Sequence, residues 1–176
     1  DSLIEAVLDV NAIYHLGGLM SWGNDDDNPL LFDDNLKGTF NLLNSVLSNK
    51  VNLAKFIFAS SGSVYGLKRE KKVTEDLDLV PISVYNKTKM IAERVFMSFK
   101  DKIRINCIRP ATVCGISPRM RFDVSVNLLT LQAIKKKKIT VFGGNQIRPN
   151  IHIKDMIRLY DFFLKKSLPS GFYNAG

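Results

Sequence analysis

The sequence predicts an α/β fold built on a parallel β-sheet. Strand-length apolar runs alternate along the chain with segments whose apolar residues have helical spacing. The runs at 11–16, 55–60 and 103–108 are largely apolar throughout, which is typical of parallel strands that are covered on both faces. A length of 176 residues with 45% hydrophobic content indicates one domain with a buried core.

Capping and turn residues set the limits of the first elements. Residues 3–8 have the pattern of the end of an amphipathic helix, and the polar, acidic segment 23–28 is predicted to be a loop. Asn28 followed by Pro29 indicates an N-cap and the first position of a long helix that runs to about residue 49. Helical spacing predicts that its core-facing side carries Leu36, Phe40, Leu43 and Leu47.

The second half continues the alternation of helices and strands. A charged, proline-containing loop at 67–82 precedes a helix at 84–100, and Arg109-Pro110 ends the third strand. The core positions predicted for that helix are Met90, Val95 and Phe99. The later elements are predicted as an irregular stretch at 111–122, a helix at 123–137, a short strand at 139–142, an extended segment at 148–153, a helix at 155–166 and a final strand at 171–174.

The basic charge of the chain is interpreted as complementary to an anionic small ligand. The formal net charge is +8 and the pI is about 9.5. Much of the excess lies in two lysine-rich segments, 68–72 in a loop and 135–138 at a helix end. No aromatic residues interleave them as a base-stacking platform would require, so we expect no nucleic-acid partner.

Cysteine content and the absence of long apolar runs indicate a cytoplasmic protein. No apolar run approaches the roughly 18 residues of a membrane span, and no secretory leader opens the sequence, so no membrane partner is expected. Cys107 and Cys114 lie in or near an apolar strand. They are interpreted as reduced thiols, and no metal site is predicted.

A serine, a tyrosine and a lysine form the candidate catalytic group. The apolar run at 55–60 delivers Ser61 to its C-terminal end, and Tyr85 and Lys89 follow on the next helix. Positions i and i+4 lie on one face of a helix, so these two side chains are predicted to project together. A nearby ammonium favours the phenolate and so lowers the pKa of Tyr85, as a phenolic general acid–base needs near neutral pH. Ser61 is predicted to hold the hydroxyl that loses the proton.

Glycines and histidines at strand ends have two readings each. Gly17 and Gly18 end the first strand, where they indicate either a close approach of the backbone to a ligand or a simple tight turn. His15 and His152 lie in apolar strands and are predicted to be core residues and not ligands. Asp155 is predicted to cap a helix.

Six segments of the chain form an ordered set. They are Ile-Tyr-His-Leu-Gly-Gly-Leu at 13–19, Asn-Leu-Lys-Gly-Thr at 35–39, Ser-Ser-Gly-Ser-Val-Tyr-Gly at 60–66, Tyr-Asn-Lys-Thr-Lys at 85–89, Arg-Pro-Ala-Thr-Val-Cys-Gly at 109–115, and Phe-Gly-Gly at 142–144 with Gln-Ile-Arg-Pro-Asn-Ile-His-Ile-Lys-Asp at 146–155. In this order they resemble the extended short-chain dehydrogenases, the family of nucleotide-sugar epimerases and dehydratases.

The resemblance implies a Rossmann-like doubly wound parallel sheet that lacks its first strands, with part of a small substrate domain. Residues 1–115 would be the C-terminal part of the NAD(P)-binding domain with the catalytic segment. Residues 116–176 would mix substrate-binding and returning Rossmann elements. The Gly-x-x-Gly-x-x-Gly turn of the family has no counterpart in the sequence. We therefore interpret the chain as a piece of a longer enzyme, with about 60 residues before Asp1, and expect the piece alone to bind dinucleotide poorly.

The resemblance also implies roles for individual residues. Tyr85 would be the general acid–base for a sugar hydroxyl, Lys89 would also hydrogen-bond the nicotinamide ribose, and Ser61 would bridge the substrate and Tyr85. The implied cofactor-binding residues are Leu16, Gly17, Gly18, Asn35, Tyr85, Lys89 and Pro110. The implied substrate-binding residues are Ser63, Thr112, Arg119 and Arg148, of which Arg148 would pair with a diphosphate. For Arg119 and its neighbour Arg121 the alternative is a solvent-exposed loop charge.

Gly62 and Ser63 discriminate among the reactions of the family. Dehydratase relatives carry Asp-Glu at these positions and decarboxylases carry Glu at the second, whereas a small hydroxyl residue resembles the 4-epimerases and simple ketoreductases. The favoured function is NAD-dependent epimerisation of a nucleotide-diphosphate sugar by transient oxidation at a sugar carbon, with NADP as the alternative cofactor. The alternative functions are a net nucleotide-sugar dehydrogenase or reductase, and a non-catalytic dinucleotide-sensing protein. The resemblance further implies a homodimer through the helices at 29–49 and 84–100.

Overall fold

The computed structural model of the chain describes residues 2–20 and 28–176. Strands and helices alternate through most of this part of the chain. The helices are α1 (Ser2–Leu8), α2 (Pro29–Ser48), α3 (Val84–Met97), α4 (Ser125–Lys136) and α5 (Ile153–Lys165). The strands are β1 (Ala12–His15), β2 (Lys55–Ala59), β3 (Ile105–Pro110), β4 (Thr112–Cys114), β5 (Asn150–His152) and β6 (Gly171–Ala175), and a short 3₁₀ turn covers Gly62–Tyr65.

Four strands form one parallel sheet in the order β1-β2-β3-β6. Phe58 of β2, for example, lies opposite Cys107 of β3. A second, two-stranded parallel sheet joins β4 to β5, beginning with Thr112 opposite Asn150. Because parallel strands end at the same edge of a sheet, the segments that follow β1, β2 and β3 meet there.

Helices cover both faces of the sheet, as a doubly wound fold requires. On one face α1, α2 and α3 pack against a cluster that includes Phe58 and Phe96, each at most 1% exposed. On the opposite face Ile57 packs with Met156 and Phe163 of α5. Phe58 and Ile57 are neighbours in β2 that point to opposite faces, so burial on both sides explains the continuous apolar run.

A buried lysine joins the start of β2 to the end of α5. Lys55 is 9% exposed, and its Nζ donates to the carbonyls of Phe163 at 3.1 Å, Leu164 and Lys166 at 2.9 Å. The last carbonyls of a helix have no partner within the helix, and they carry its negative dipole end. The ammonium therefore satisfies these acceptors and fixes α5 against the sheet.

Helix α2 begins as its capping residues predict. The side chain of Asn28 accepts a hydrogen bond from the Leu30 amide, and Pro29 occupies the first turn. Leu43 is buried on the predicted face. Phe40, predicted for the same face, is 45% exposed, so this part of the prediction is wrong. Residues 23–27 of the predicted loop lie outside the described residues.

Two strand assignments of the second half are wrong. The stretch 111–122, predicted to be irregular, contains β4. Its partner β5 lies more than thirty residues later in the chain, so a three-residue strand gives no local sign of the pairing. The predicted strand at 139–142 is not formed, and these residues are exposed. A strand is stable only where a neighbour satisfies its backbone groups, and 139–142 pairs with none of the described strands.

The predicted core positions of helix α3 are confirmed only in part, since Val95 and Phe99 pack against the core cluster and Met90 is not among its members. Met90, Val95 and Phe99 are only half-buried. The buried residues of α3 are Thr88, Lys89, Ala92, Glu93 and Phe96. Lys89 and Glu93 are stable inside because Lys89 donates to the Ala59 carbonyl and Glu93 pairs with Arg109. A pattern that counts only apolar residues therefore omits the buried polar positions of this helix.

The two histidines have different environments. His15 stacks on Phe58 with ring centroids 5.5 Å apart and packs on Phe96, as predicted for a core residue. His152 is exposed and caps α5, since its Nδ1 accepts from the Lys154 amide. The prediction for His152 is therefore wrong. The predicted cap Asp155 instead lies in the first turn of α5, where it pairs with an arginine one turn later.

The described part of the chain contains no helix that is long and apolar enough to cross a bilayer. Cys107 is buried and Cys114 is half-buried, and both are free thiols.

Candidate active site

Tyr85 and Lys89 lie together at the start of α3. Ser83 is the N-cap of this helix, and its hydroxyl accepts from the Asn86 amide. The cap fixes where the helix begins and therefore which side the next turn presents. Lys89 Nζ lies 5.6 Å from the centre of the Tyr85 ring, as the four-residue spacing predicts.

The Lys89 ammonium is held at the C-terminal end of β2. Lys89 is 6% exposed, and its Nζ donates to the Ala59 carbonyl at 2.9 Å. It also lies 4.9 Å from the centre of the Phe58 ring, within cation–π distance. Burial disfavours the charged form and lowers the pKa of Lys89 to about 8. The amine is therefore fixed beside the strand tip, and within residues 2–20 and 28–176 only one of its three donor positions is used.

The electrostatics of Tyr85 differ from the prediction. Burial raises the pKa of the Tyr85 phenol, and the positive charge of Arg121 opposes this shift. The expected lowering of the Tyr85 pKa by Lys89 is not found, because desolvation of the phenolate dominates. Arg121 pairs with Asp123 on the segment that follows β4 and contacts the sulfur of Met20. Sequence reasoning gave Arg121 a possible substrate role and did not foresee its effect on the phenol.

Ser61 lies at the predicted strand tip and caps the 3₁₀ turn. Its Oγ accepts from the Ser63 amide at 3.2 Å and lies 2.6 Å from Ser63 Oγ. Ser63 in turn donates to Asn86 Oδ1 at 2.5 Å. One contact, between Ser63 and Asn86, thus joins the 3₁₀ turn to the first turn of α3, and a second, between Ala59 and Lys89, joins the end of β2 to the second turn. These two contacts hold the segment that contains Ser61 against the helix that carries Tyr85.

The glycine turn after β1 approaches Lys89 closely. A Cβ on Gly18, whose φ is +155°, would lie 3.1 Å from Asn35 Oδ1 and 3.6 Å from Lys89 Nζ. Asn35 also accepts from the Leu19 amide at 2.7 Å and donates to the Leu19 carbonyl at 3.0 Å. A side chain at this position would press on Asn35, so glycine lets the turn lie close to the Lys89 ammonium. Lys89 Nζ is thus a hydrogen-bond donor beside this turn, as a ribose hydroxyl bound there would need.

A small cavity opens behind this turn. His15, Asn35, Phe58, Thr88 and Lys89 are among its lining residues. Asn35 Nδ2 donates to Thr88 Oγ1 at 3.2 Å, which ties α2 to α3 across the cavity. Burial, followed by the charge of Lys89, lowers the pKa of His15 to about 4. The imidazole is therefore neutral at physiological pH and leaves Lys89 as the cation of the cavity.

The end of β3 closes another side of the site. A Cβ on Gly62 would lie 3.0 Å from the Pro110 carbonyl, so the 3₁₀ turn packs on the backbone at this strand end. Thr112 is half-buried, and its amide donates to the Pro149 carbonyl at 3.2 Å. The structure thus brings Pro110 to the predicted group and Thr112 to the neighbouring sheet.

The remaining predicted residues lie apart from this buried group. Leu16 is 55% exposed. Arg119 and Arg148 are exposed, Arg148 being two residues before the start of β5. Their side chains face solvent and leave the guanidinium groups accessible to an anion.

A buried polar network behind the site was missed by sequence reasoning. Arg109 and Glu93 form a two-pronged ion pair, and Arg109 also donates to the Tyr65 hydroxyl at 2.7 Å. Tyr65 donates to Asn174 Oδ1, and the Asn174 amide donates to Glu75. The network joins α3, β3, β6 and the loop that precedes α3. A buried arginine in a strand followed by proline is the only sequence signal that could have indicated it.

Comparisons with known proteins agree with the geometry. Residues 1–176 match the sequence profile of the NAD dependent epimerase/dehydratase family. An uncharacterized UDP-glucose epimerase of Bacillus subtilis (strain 168) is 34% identical over 164 residues, which cover 89% of this chain and 49% of that protein. The crystal structure of UDP-glucuronic acid 4-epimerase from Bacillus cereus, in complex with UDP-glucuronic acid and NAD, has a TM-score of 0.84 at 32% identity and covers 100% of this chain and 57% of that one.

A dehydratase is also similar. An NAD-dependent NDP-hexosamine 5,6-dehydratase involved in tunicamycin biosynthesis has a TM-score of 0.84 at 27% identity, over 98% of this chain and 57% of that one. The chain belongs to the NAD-dependent epimerase/dehydratase family, which confirms the resemblance. It spans about half the length of the relatives it matches.

Proposed function

We propose that the chain carries the catalytic group of an NAD-dependent nucleotide-sugar epimerase. The observation that carries this proposal is the position of Lys89. Its Nζ is bonded to the carbonyl at the tip of β2, lies close to the turn at Gly18 and is one helical turn from Tyr85. A cation between this turn and a phenol is suited to bind a ribose and to support proton transfer.

Tyr85 is the proposed general acid–base. It takes the proton of a sugar hydroxyl when that carbon is oxidised and returns the proton when the carbonyl is reduced. Burial raises the pKa of the phenol, so the phenolate needs positive charge nearby, which Arg121 supplies. NAD, when bound, supplies the hydride acceptor and a further positive charge. Lys89 holds the ribose side of that cofactor, and Ser61 orients the sugar hydroxyl.

The cofactor and substrate assignments follow from position. We propose that Leu16, Gly17, Gly18, Asn35 and Pro110 line the cofactor. Arg148 and Arg119 are exposed guanidinium groups at the side of β5 and after β4, and we propose that they bind the diphosphate, since the planar fork of arginine matches phosphate oxygens. Ser63, which contacts Ser61, and Thr112, at the start of β4, are assigned to the sugar side.

Epimerisation is favoured over dehydration by the residues of the 3₁₀ turn. Elimination of water needs an added acid and base, and Gly62-Ser63 supplies no carboxyl group. The most similar relatives named above are UDP-sugar epimerases, which supports a UDP-sugar as the substrate. The alternatives are a net dehydrogenase or reductase, and a dinucleotide sensor without catalysis.

The test is Tyr85→Phe in the complete natural polypeptide, with UDP-glucose, UDP-glucuronic acid and their 4-epimers as substrates. We expect interconversion in the wild type and a loss of about 10²-fold or more in the variant, while NAD and UDP still bind. An epimerase consumes no NAD, whereas stoichiometric reduction of NAD would identify a dehydrogenase. Unchanged behaviour of Tyr85→Phe would support a sensor and refute the enzyme.

We also propose a homodimer through α2 and α3, within residues 29–49 and 84–100. Phe32 and Phe40 of α2 are 40% and 45% exposed, which is unusual for aromatic residues on a helix that is otherwise packed on a core. Sedimentation of the complete protein and of a Phe40→Glu variant is the test. A dimer that the substitution converts to a folded monomer is expected, and an unchanged sedimentation coefficient contradicts the proposal.

A further inference from the structure

Asn86 has no role in the predicted site, yet its side chain contacts the serine pair. Ser63 Oγ lies 2.5 Å from Asn86 Oδ1 and 2.6 Å from Ser61 Oγ. All three residues lie at the junction of the 3₁₀ turn with the first turn of α3. The side-chain amide of Asn86 is therefore linked through Ser63 to the Ser61 hydroxyl, which the proposed reaction uses.

The chemistry of these groups fixes the direction of each hydrogen bond. A hydroxyl has one proton, and an amide oxygen can only accept. Ser63 donates its hydroxyl proton to Asn86 Oδ1. In the contact between the two serine hydroxyls, Ser61 is therefore the donor and Ser63 the acceptor. Ser61 also accepts from the Ser63 amide. Its proton and one of its two lone pairs are thus occupied, and one lone pair remains for a ligand.

We propose that Asn86 is a positioning residue that makes Ser61 a hydrogen-bond acceptor toward the sugar. This inference rests on the proposed function. A sugar alcohol can donate to the remaining lone pair of Ser61, whereas a sugar ketone has no proton to donate. Asn86 therefore stabilises the bound alcohol relative to the bound ketone. Because the Ser63 hydroxyl donates to Asn86, it cannot donate to the sugar, and Ser63 affects the sugar only by accepting the proton of Ser61.

Removal of the amide oxygen reverses the direction of the serine pair. In Asn86→Leu the Ser63 proton is free to turn to Ser61 and occupy its lone pair. The Ser61 proton is then free, and Ser61 becomes a donor, which favours the ketone. Asn86→Asp keeps an acceptor at the same place and should behave like the wild type. Ser63→Ala frees the Ser61 proton directly, so adding Asn86→Leu to it should change nothing further.

The test measures the internal equilibrium in the complete protein with bound NAD and saturating UDP-glucose. The readout is the fraction of nicotinamide reduced at equilibrium, from its near-ultraviolet absorbance. We expect this fraction to rise roughly threefold to tenfold in Asn86→Leu and in Ser63→Ala, the effect of about one hydrogen bond, and to stay unchanged in Asn86→Asp. Asn52→Leu, the same substitution in an exposed loop, is the matched control.

A merely structural role of Asn86 would slow turnover without moving this fraction, and that result overturns the proposal. A second readout needs neither cofactor nor substrate. Unfolding free energies of the wild type, Asn86→Leu, Ser63→Ala and the double variant form a cycle, and additive effects would show that the two side chains are not coupled. A wild type that binds UDP-sugar but neither oxidises nor epimerises it refutes the proposed function. The unfolding cycle would still show whether the side chains of Asn86 and Ser63 are coupled.

Discussion

Glu93 and Arg109 form a fully buried, two-pronged ion pair between the helix that carries the proposed catalytic residues and the central strand β3. Arg109 Nε donates to Oε1 at 2.9 Å and Nη2 to Oε2 at 2.8 Å, and the two side chains are 0% and 2% exposed. Arg109 also lies against the rings of Tyr65 and Phe172. Such a pair fixes the distance and the rotation of α3 relative to the sheet.

Glu93→Gln should destabilise the protein by roughly 3 kcal/mol, because it leaves the Arg109 charge buried without a counter-charge. Replacement of both partners, as Glu93→Leu with Arg109→Met, should recover a large part of this loss. Denaturant unfolding of Glu93→Gln and of the double variant measures both changes in the free energy of unfolding. Asp33→Asn, which breaks the exposed pair with Lys37, is the control and should cost far less, because solvent screens that pair. Equal losses at the two pairs would contradict this account.

His15 should make stability sensitive to acid. Its pKa is about 4 in the folded protein because of burial and the charge of Lys89, against 6.5 for the unperturbed group. Between these values the unfolded chain binds the proton and the folded chain does not, so stability is lost as pH falls from 6.5 to 4. This site should contribute roughly 3 kcal/mol over that window.

The measurement is unfolding free energy against pH for the wild type, His15→Phe and His15→Gln. Neither replacement titrates, so both curves should be flatter in this window, although the loss of ring packing lowers the whole curve of the glutamine variant. Three parallel curves would mean that His15 does not cause the acid sensitivity.

Lys89→Met should abolish the proposed epimerase activity of the complete protein and yet stabilise the fold at neutral pH. The folded pKa of about 8 lies below the 10.5 of the unperturbed amine because burial disfavours the charge, so below pH 8 the folded state bears a desolvation cost. The variant removes that cost of roughly 3 kcal/mol and also loses a hydrogen bond of about 1 kcal/mol.

Because the unfolded wild type keeps its proton up to higher pH, wild-type stability should rise between pH 8 and 10.5, and the advantage of Lys89→Met should shrink over the same window. Denaturant unfolding at the two ends of the window checks this. Lys87→Met, at an exposed position two residues earlier, is the control and should change stability by less than about 0.5 kcal/mol. A variant that is destabilised at every pH would contradict the prediction.

Gly66→Ala should be strongly destabilising. Gly66 has φ of +71°, and a Cβ there would lie 2.0 Å from the Val80 carbonyl oxygen, so the loop before α3 must move. A loss of at least about 2 kcal/mol is expected. Gly38→Ala provides the matched comparison, since nothing lies within 4 Å of its Cβ in α2, and it should stabilise by up to about 1 kcal/mol. Thermal unfolding of both variants measures these changes in stability. A Gly66→Ala variant as stable as the wild type would refute the close packing of Gly66 on Val80.

Most of the fold could be predicted because its signals are local. Asn28-Pro29 and the cap at Ser83 are decided by neighbouring backbone groups, and the apolar run of β2 follows from burial on both faces. The pairing that forms the second, two-stranded sheet could not be predicted. Thr112–Cys114 is a strand only because Asn150–His152 lies beside it, whereas residues 139–142 have the composition of a strand and no partner among the described strands.

The site divides in the same way. The spacing of Tyr85 and Lys89 in a helix was enough to place their side chains together, because helical periodicity is fixed by the backbone. The spacing did not predict the direction in which the pKa of Tyr85 shifts, since burial depends on all the residues packed around the ring. The contact of Asn86 with Ser63 could not be predicted, because Ser63 belongs to another segment and polar residues at helix starts are common.

The sequence by itself determined the α/β class and the family, and it supplied the proposed residues for proton transfer, since these depend on periodicity, capping and the order of short segments. Only the tertiary structure decided which charges are buried, which side of α3 faces the sheet and which hydroxyl donates to which. Those properties arise from contacts between residues distant in the chain, where desolvation and hydrogen-bond geometry act and no local pattern records them.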